Sequence, residues 1–338
     1  MRTAYISHRD CHQHDTSEGH PENARRLSAI EDRFVATGLF DVLRYYDAPL
    51  ATDEQLLRVH TPEHLAAMIA AIPDNGYTKL DPDTVISPGS LQAARRAAGA
   101  AVLAVDLVMS GEMENAFCCV RPPGHHAESD QAMGFCMFNN IAVGAAHALA
   151  AHGIGKAAIV DFDVHQGNGS EEMFSDEPRL LFCSTFQHPF FPYTRIYENA
   201  ENRVNVPLDA KAKSEEFREA VTHQWLPALE RFAPEFLFIS AGFDAHRDDE
   251  MSHVSLTDQD FTWVTEQLVR VAGKSAQNRI VSVLEGGQPF EESQSDPGEQ
   301  FSISNLNPGS QPSNLLSVTI PVPPRMLTHQ SPRKNVLS

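Results

Sequence analysis

Three short segments of this chain carry residue types that can do chemistry at the spacing in which they occur. Asp161-Phe-Asp163-Val-His165 sets two carboxylates and an imidazole at alternate positions. In an extended segment, residues two apart share a face, so all three side chains can project one way. Ala241-Gly-Phe-Asp244 brings a further carboxylate after a small-residue hinge, and Arg121-Pro-Pro-Gly-His125-His126 brings an imidazole pair after a tight turn. Each segment alone has an ordinary explanation. An Asp at a strand end more often caps the next helix, and a His pair more often fills surface or core. Crowded carboxylates, however, repel one another unless a cation sits between them. Three such segments at successive strand ends therefore predict a metal site with two histidines beside it.

These segments need a scaffold, and the apolar pattern supplies one. Residues 116–120, 157–160, 180–183, 236–240 and 280–284 form short apolar runs, rich in β-branched and aromatic residues and bounded by Gly, Pro or Asp. They read as buried parallel strands. Helical stretches lie between them over 89–109, 139–152, 214–231 and 257–273, the last opened by Thr257 with Asp260 three residues on. Alternation of this kind predicts a three-layer α/β/α fold around a mostly parallel, doubly wound sheet, whose ligands gather beyond the carboxyl ends of the strands. The three chemical segments follow directly on three of those strands.

Composition narrows the function. With 45 acidic and 26 basic residues among 338, the net charge of −19 disfavours a nucleic-acid partner and suits cationic substrates. The five cysteines lack framework spacing and read as reduced thiols in a cytoplasmic protein, with Cys118 and Cys119 as buried strand residues. The polar, histidine-rich stretch from Met1 to His14 contains no signal-peptide core. No apolar run reaches the roughly 18 residues of a membrane helix. After Gly287 the chain turns Pro-, Ser-, Gln- and Asn-rich, so 1–287 is expected to be one catalytic domain and 288–338 a disordered tail.

Several further motifs occur in order over Met1–Gly287: Gly19-His-Pro-Glu22 with Arg26-Leu27, Val59-His-Thr-Pro-Glu-His64, Asp81-Pro-Asp-Thr84 with Ser87-Pro-Gly-Ser90, Gly134-Phe-Cys-Met-Phe-Asn-Asn140, Gln166-Gly-Asn168 and Glu285-Gly-Gly287. Together with the three segments above, they make the chain resemble the histone deacetylase family, which includes acetylpolyamine amidohydrolases and bacterial deacetylase-like amidohydrolases. Asn168 and the His-Pro-Glu motif are most similar to its class II branch. The resemblance implies hydrolysis of an acyl-lysine or acylated polyamine amide at one Zn²⁺ held by Asp163, His165 and Asp244, with the coordination left open that a catalytic zinc needs. It implies that His126 is a general base oriented by Asn168, and that His125 is held by Asp161. It places Gly134, Phe135, Phe191 and Met251 along a narrow substrate tunnel. It further implies a structural monovalent cation, usually potassium, at Asp161, Asp163, His165 and Ser184.

The chain departs from the pattern at one position. The family continues Glu-Gly-Gly with a tyrosine whose hydroxyl donates to the oxyanion, whereas this chain has Gln288, followed by Pro289. Loss of one oxyanion donor typically costs about 10²–10³ in rate. A C-terminus replaced after Gly287 would also leave apolar surface uncovered and lower stability. Two other readings therefore stand beside the deacetylase: a catalytically silent zinc protein that binds acylated ligands, and an acetylpolyamine amidohydrolase. For the second, the position matching the acidic gatekeeper of some polyamine-selective relatives is Met251, with Glu250 beside it. An Asp, His, Asp set also accepts iron.

Overall fold

The computed structural model describes residues 2–194 and 196–287. The expected disordered tail over 288–338, and Gln288 with it, falls outside the described residues. The strands are β1 (Thr3–Ser7), β2 (Arg44–Asp47), β3 (Thr78–Lys79), β4 (Val85–Ile86), β5 (Asn115–Cys118), β6 (Ala157–Asp161), β7 (Leu180–Gln187), β8 (Arg203–Leu208), β9 (Phe236–Ala241) and β10 (Ile280–Leu284). The helices are α1 (Arg25–Ala36), α2 (Asp53–Leu56), α3 (Pro62–Ala71), α4 (Ser90–Met109), α5 (Asn140–Ala151), α6 (Asn168–Met173), α7 (Ser214–Ala220), α8 (Leu226–Phe232) and α9 (Asp258–Ser275).

Eight strands form one sheet in the order β2-β1-β5-β10-β9-β6-β7-β8, and every neighbouring pair is parallel. Strands β3 and β4 make a separate antiparallel pair. The expected parallel α/β/α architecture is therefore present, and the period of two along each central strand explains its three layers. Ala157 and Ile159 of β6 pack into one apolar cluster, and Ala158 and Val160 into the other. In β9, Phe236 and Phe238 face the first, and Leu237 and Ile239 the second. Helices α1, α4 and α5 cover the first face; α7, α8 and α9 cover the second. Each buried Phe, Leu or Ile side chain contributes about 1.5–3 kcal/mol relative to exposure.

The helix expected over 214–231 is interrupted by a π-helical turn at Val221–Trp225, which seats Trp225 fully in the core. The α9 start keeps the acidic half of the expected capping box: the Asp260 carboxylate accepts from the Thr257 backbone N–H at 2.9 Å and from its hydroxyl at 2.8 Å. Within the N-terminal stretch read as merely polar, Thr3–Ser7 is a fully buried strand paired on both sides. All five cysteines are free and buried, with Cys118 ending β5 and Cys119 following it. Among the described residues, no helix is long and apolar enough to cross a membrane.

Candidate active site and metal centre

Strands β5, β10, β9 and β6 are adjacent at the centre of the sheet, although they lie far apart in the chain. Each one releases a short loop at its carboxyl end. Residues 121–126, 285–287, 242–244 and 161–165 thereby meet at one point, beyond the carboxyl edge, as parallel α/β sheets favour.

Three of the converging side chains make a metal-ligand group. One donor atom from each of Asp163, His165 and Asp244 lies within 4.8 Å of the others, and all three residues are buried. His165 Nδ1 is 3.0 Å from Asp163 Oδ1 and 3.1 Å from Asp244 Oδ2. Backbone donors pin the carboxylates in place. Asp163 Oδ1 accepts from the His165 N–H at 2.9 Å, and its Oδ2 from the Gly286 N–H at 2.8 Å. Asp244 Oδ1 accepts from the Val164 N–H at 2.9 Å. The packing leaves no room for side chains at the supporting glycines, since a Cβ on Gly242 would strike Asp163, and one on Gly286 would strike both carboxylates.

The electrostatics of this group fit a cation. Burial opposes charge on His165, but Asp244 and Asp163 outweigh it and raise the imidazole to about 10. Burial, together with the Asp163 charge, pushes the Asp244 carboxyl up. Asp163 is also buried, yet the His125 and His165 charges hold it below the usual carboxylate range. One imidazole and two carboxylates form a donor set that suits zinc, and their burial beside a pocket leaves a side open for water or substrate.

The adjacent histidines have opposite environments. His125 Nδ1 donates to Asp161 Oδ2 at 2.9 Å, and Asp161 is completely buried at the end of β6. Burial disfavours the charged ring, but Asp163 and Asp161 raise His125 to about 10. His126 Nδ1 is 2.8 Å from Asn168 Oδ1. The amide nitrogen of Asn168 donates to Glu128 Oε1 at 2.7 Å, so its oxygen must face the histidine. His126 therefore carries its proton on Nδ1 and leaves the Nε2 lone pair free to accept one. Burial, then the His125 and His165 charges, hold His126 well below the ordinary imidazole value.

A pocket of about 570 Å³ opens onto these groups. Gly134, Phe135, Phe191 and Met251, the residues placed along a tunnel by sequence, all line it. Phe191 meets the His126 ring edge-on at 5.1 Å, and a Cβ on Gly134 would collide with that ring. Phe135 has a φ of 70°, a left-handed conformation, and its backbone N–H is held by Thr84 Oγ1 at 3.0 Å. Glu250 is exposed, and Met251 is the one of the two that faces the pocket. Ser184 pairs in register with Asp161 across β6 and β7, and its buried hydroxyl has no hydrogen-bond partner among the described residues.

Sequence reasoning missed several contributors. Phe190 stacks on His165 with ring centroids 5.3 Å apart. Glu285, fully buried, accepts from the backbone N–H groups of Gly124 and His125 at 2.7 and 3.1 Å, so it fixes the turn that presents the histidines. Burial pushes its carboxyl up to about 7. Glu22 and Arg121 form a buried ion pair, in which Arg121 Nη2 reaches Glu22 Oε2 at 2.7 Å and Nε reaches Oε1. Arg26 donates to the carbonyls of Glu285 and Gly287, tying the glycine turn to this pair. The one available signal was an acidic residue at the end of an apolar strand, or inside a His-Pro-Glu motif, with a basic residue elsewhere to match it.

A fully parallel sheet in this order, with its buried ionisable groups at the carboxyl edge, defines the arginase/deacetylase type of α/β fold. A histone deacetylase domain matches residues 20–295, and the chain belongs to the histone deacetylase family of amidohydrolases. It is 40% identical over 274 residues to a histone deacetylase-like amidohydrolase of Pseudomonas aeruginosa, covering 79% of this chain and 71% of that one. It is 34% identical over 313 residues to the human polyamine deacetylase HDAC10, covering 86% of this chain and 46% of that one. The crystal structure of the HDA15 HD domain superposes with a TM-score of 0.80 at 34% identity, covering 85% of this chain and 84% of the other.

Proposed function

We propose that this chain is a zinc-dependent deacetylase that hydrolyses the amide of acyl-lysine or a similar acylated amine. The observation that carries the reading is the convergence of Asp163, His165 and Asp244 at the floor of a pocket that also exposes the His125–His126 pair. Zinc held by the three ligands would supply Lewis-acid polarisation of the amide carbonyl and a lower pKa for the attacking water.

The chain's own residues do the rest. His126 is neutral at ordinary pH with Nε2 free, so it accepts the water's proton as general base. His125, whose Nδ1 donates to Asp161 Oδ2, is oriented beside the metal ligands to stabilise developing negative charge. Phe135 and Phe191 flank an unbranched acyl-amine arm and exclude water around it. Asp161, Asp163, His165 and Ser184 would hold a potassium ion, a role supported by the unpartnered Ser184 hydroxyl beside Asp161. In sequence, Gln288 stands where the family pattern has its oxyanion-donating tyrosine, and that substitution lowers the rate.

The test is hydrolysis of an acetyl-lysine reporter by the zinc-loaded protein, with Gln288→Tyr beside it. Measurable turnover that rises about 10²–10³-fold in Gln288→Tyr is expected. Reporter binding without turnover in either protein would select the silent, ligand-binding reading instead. The human relative named a polyamine deacetylase favours one further substrate class, acylated polyamines. Acetylspermidine hydrolysed faster than acetyl-lysine peptide would move the substrate assignment there. Met251 on the pocket wall, with the neighbouring carboxylate exposed, favours acyl-lysine.

A further inference from the structure

A second group of potential metal ligands lies at the opposite end of the sheet. Asp106 is in the last turn of α4, His147 is on α5, and His152 is the residue that ends α5. Both helices finish where the next parallel strand begins, β5 after α4 and β6 after α5. The three side chains therefore sit at the amino-terminal edge of the sheet, away from the pocket. Asp106 Oδ1 is 2.8 Å from His147 Nε2 and 2.7 Å from His152 Nε2, and the donor atoms all fall within 4.8 Å of one another. His147 is buried, whereas the Asp106 side chain is 47% exposed, so the group is anchored inside and open to solvent outside.

One neighbour controls whether these atoms can take a metal. Arg58 Nη1 lies 2.5 Å from His147 Nδ1. A guanidinium offers only donors, so Nδ1 accepts, and the ring proton sits on Nε2, facing Asp106. A metal-bound imidazole needs the reverse: a lone pair on the ligating nitrogen and an N–H on the other, given to an acceptor. Arg58 must therefore withdraw before His147 can ligate. It has somewhere to go, because its Nη2 is already 3.2 Å from Glu54 Oε1, one turn back on an exposed side chain.

We infer that Asp106, His147 and His152 form a second divalent-metal site, of the zinc class, gated by Arg58. Two imidazole nitrogens, one carboxylate oxygen and water make a donor set for zinc or its first-row neighbours. The bound ion clamps α4 to α5. With Arg58 in place, the three residues instead hold each other through the two hydrogen bonds to Asp106.

The test counts zinc per chain in untagged full-length protein, stripped with a chelator and titrated with Zn²⁺. Wild type is expected to hold one more ion than His152→Ala at saturation, with a melting temperature that rises on binding it. Asp106→Asn serves as a second variant should His152→Ala fold poorly, as judged by circular dichroism. Arg58→Gln, which offers an acceptor to His147 Nδ1–H, should bind the extra ion about 10–100-fold more tightly. Asp163→Asn should lose the pocket ion and keep this one. Equal zinc in wild type, His152→Ala and Asp106→Asn would overturn the site, and unchanged or weaker binding in Arg58→Gln would overturn the gate.

Discussion

The two ends of the sheet present nearly the same ligand types in contrasting surroundings. At the carboxyl end, Asp163, His165 and Asp244 are all buried, and backbone N–H groups of Val164, His165 and Gly286 hold the carboxylate oxygens. At the amino end, Asp106 is half-exposed and shared by two histidines, one of which faces a guanidinium. Burial works against the Asp106 charge there, but the hydrogen bonds from His147 and His152 keep its carboxyl below the usual range. The contrast teaches that ligand identity is not sufficient. What the outer atom of each ligand touches decides whether a cation or a proton network occupies the centre. Backbone donors fix the carboxylates while each oxygen keeps a further lone pair for a cation, whereas an arginine on the far ring nitrogen orients the near one the wrong way.

The largest effect should come from breaking the carboxyl-end group itself. Asp244→Asn removes one of its two negative charges and is expected to lose the pocket zinc and reduce amide hydrolysis to background, measured by metal content and reporter turnover. His126→Ala leaves the ligands in place and removes the base. A fall of about 10²–10⁴-fold in kcat/KM, with zinc retained, is expected. Retained zinc with an unchanged rate would transfer the base role elsewhere.

A buried ion pair supports the carboxyl end, whereas among the described residues the exposed group has beside it only the Arg58–Glu54 pair, whose carboxylate is exposed. Glu22→Gln would leave the fully buried Arg121 without its partner and cost about 3–5 kcal/mol of stability. Burial raises the Glu22 carboxyl, but Arg121 and His14 outweigh it and hold it below the usual range. Its stabilisation is therefore complete above the unfolded value of about 4.3 and is lost as pH falls below it. The gap in melting temperature between wild type and Glu22→Gln should close on acidification. A gap independent of pH would assign the loss to packing alone.

The smallest effect should be a shift in a pH profile. Because His126 is held low, the acid limb of kcat/KM is expected below the ordinary imidazole value of about 6.5. Asn168→Asp puts a carboxylate on His126 Nδ1 and should move that limb upward. A limb already at the ordinary value in wild type would contradict the neutral environment described for this ring.

Much of this was legible in the chain because buried parallel strands are written as continuous apolar runs. The runs for β6, β9 and β10 fall within one residue of their observed limits, and the residues that follow them carry the chemistry. Other elements were hidden by weaker patterns. Strand β1 is short and flanked by polar residues, β2 is a largely exposed edge, and β8 carries Pro207 near its end. Their strand character comes from pairing rather than from local composition.

The sequence by itself determined which residues could act as ligands and bases, and it placed them at strand ends, since both depend on residue type and local period. It also carried the departure at Gln288, which is a matter of identity alone. Only the tertiary structure decided that β5, β10, β9 and β6 lie side by side, because this order rests on hydrogen bonds between segments 43 to 165 residues apart in the chain. It alone also decided the tautomer of His126, the Glu285 anchor under the histidines and the Arg58 contact on His147. Each of these depends on one atom meeting another within about 3 Å, a distance that spacing along a chain does not encode.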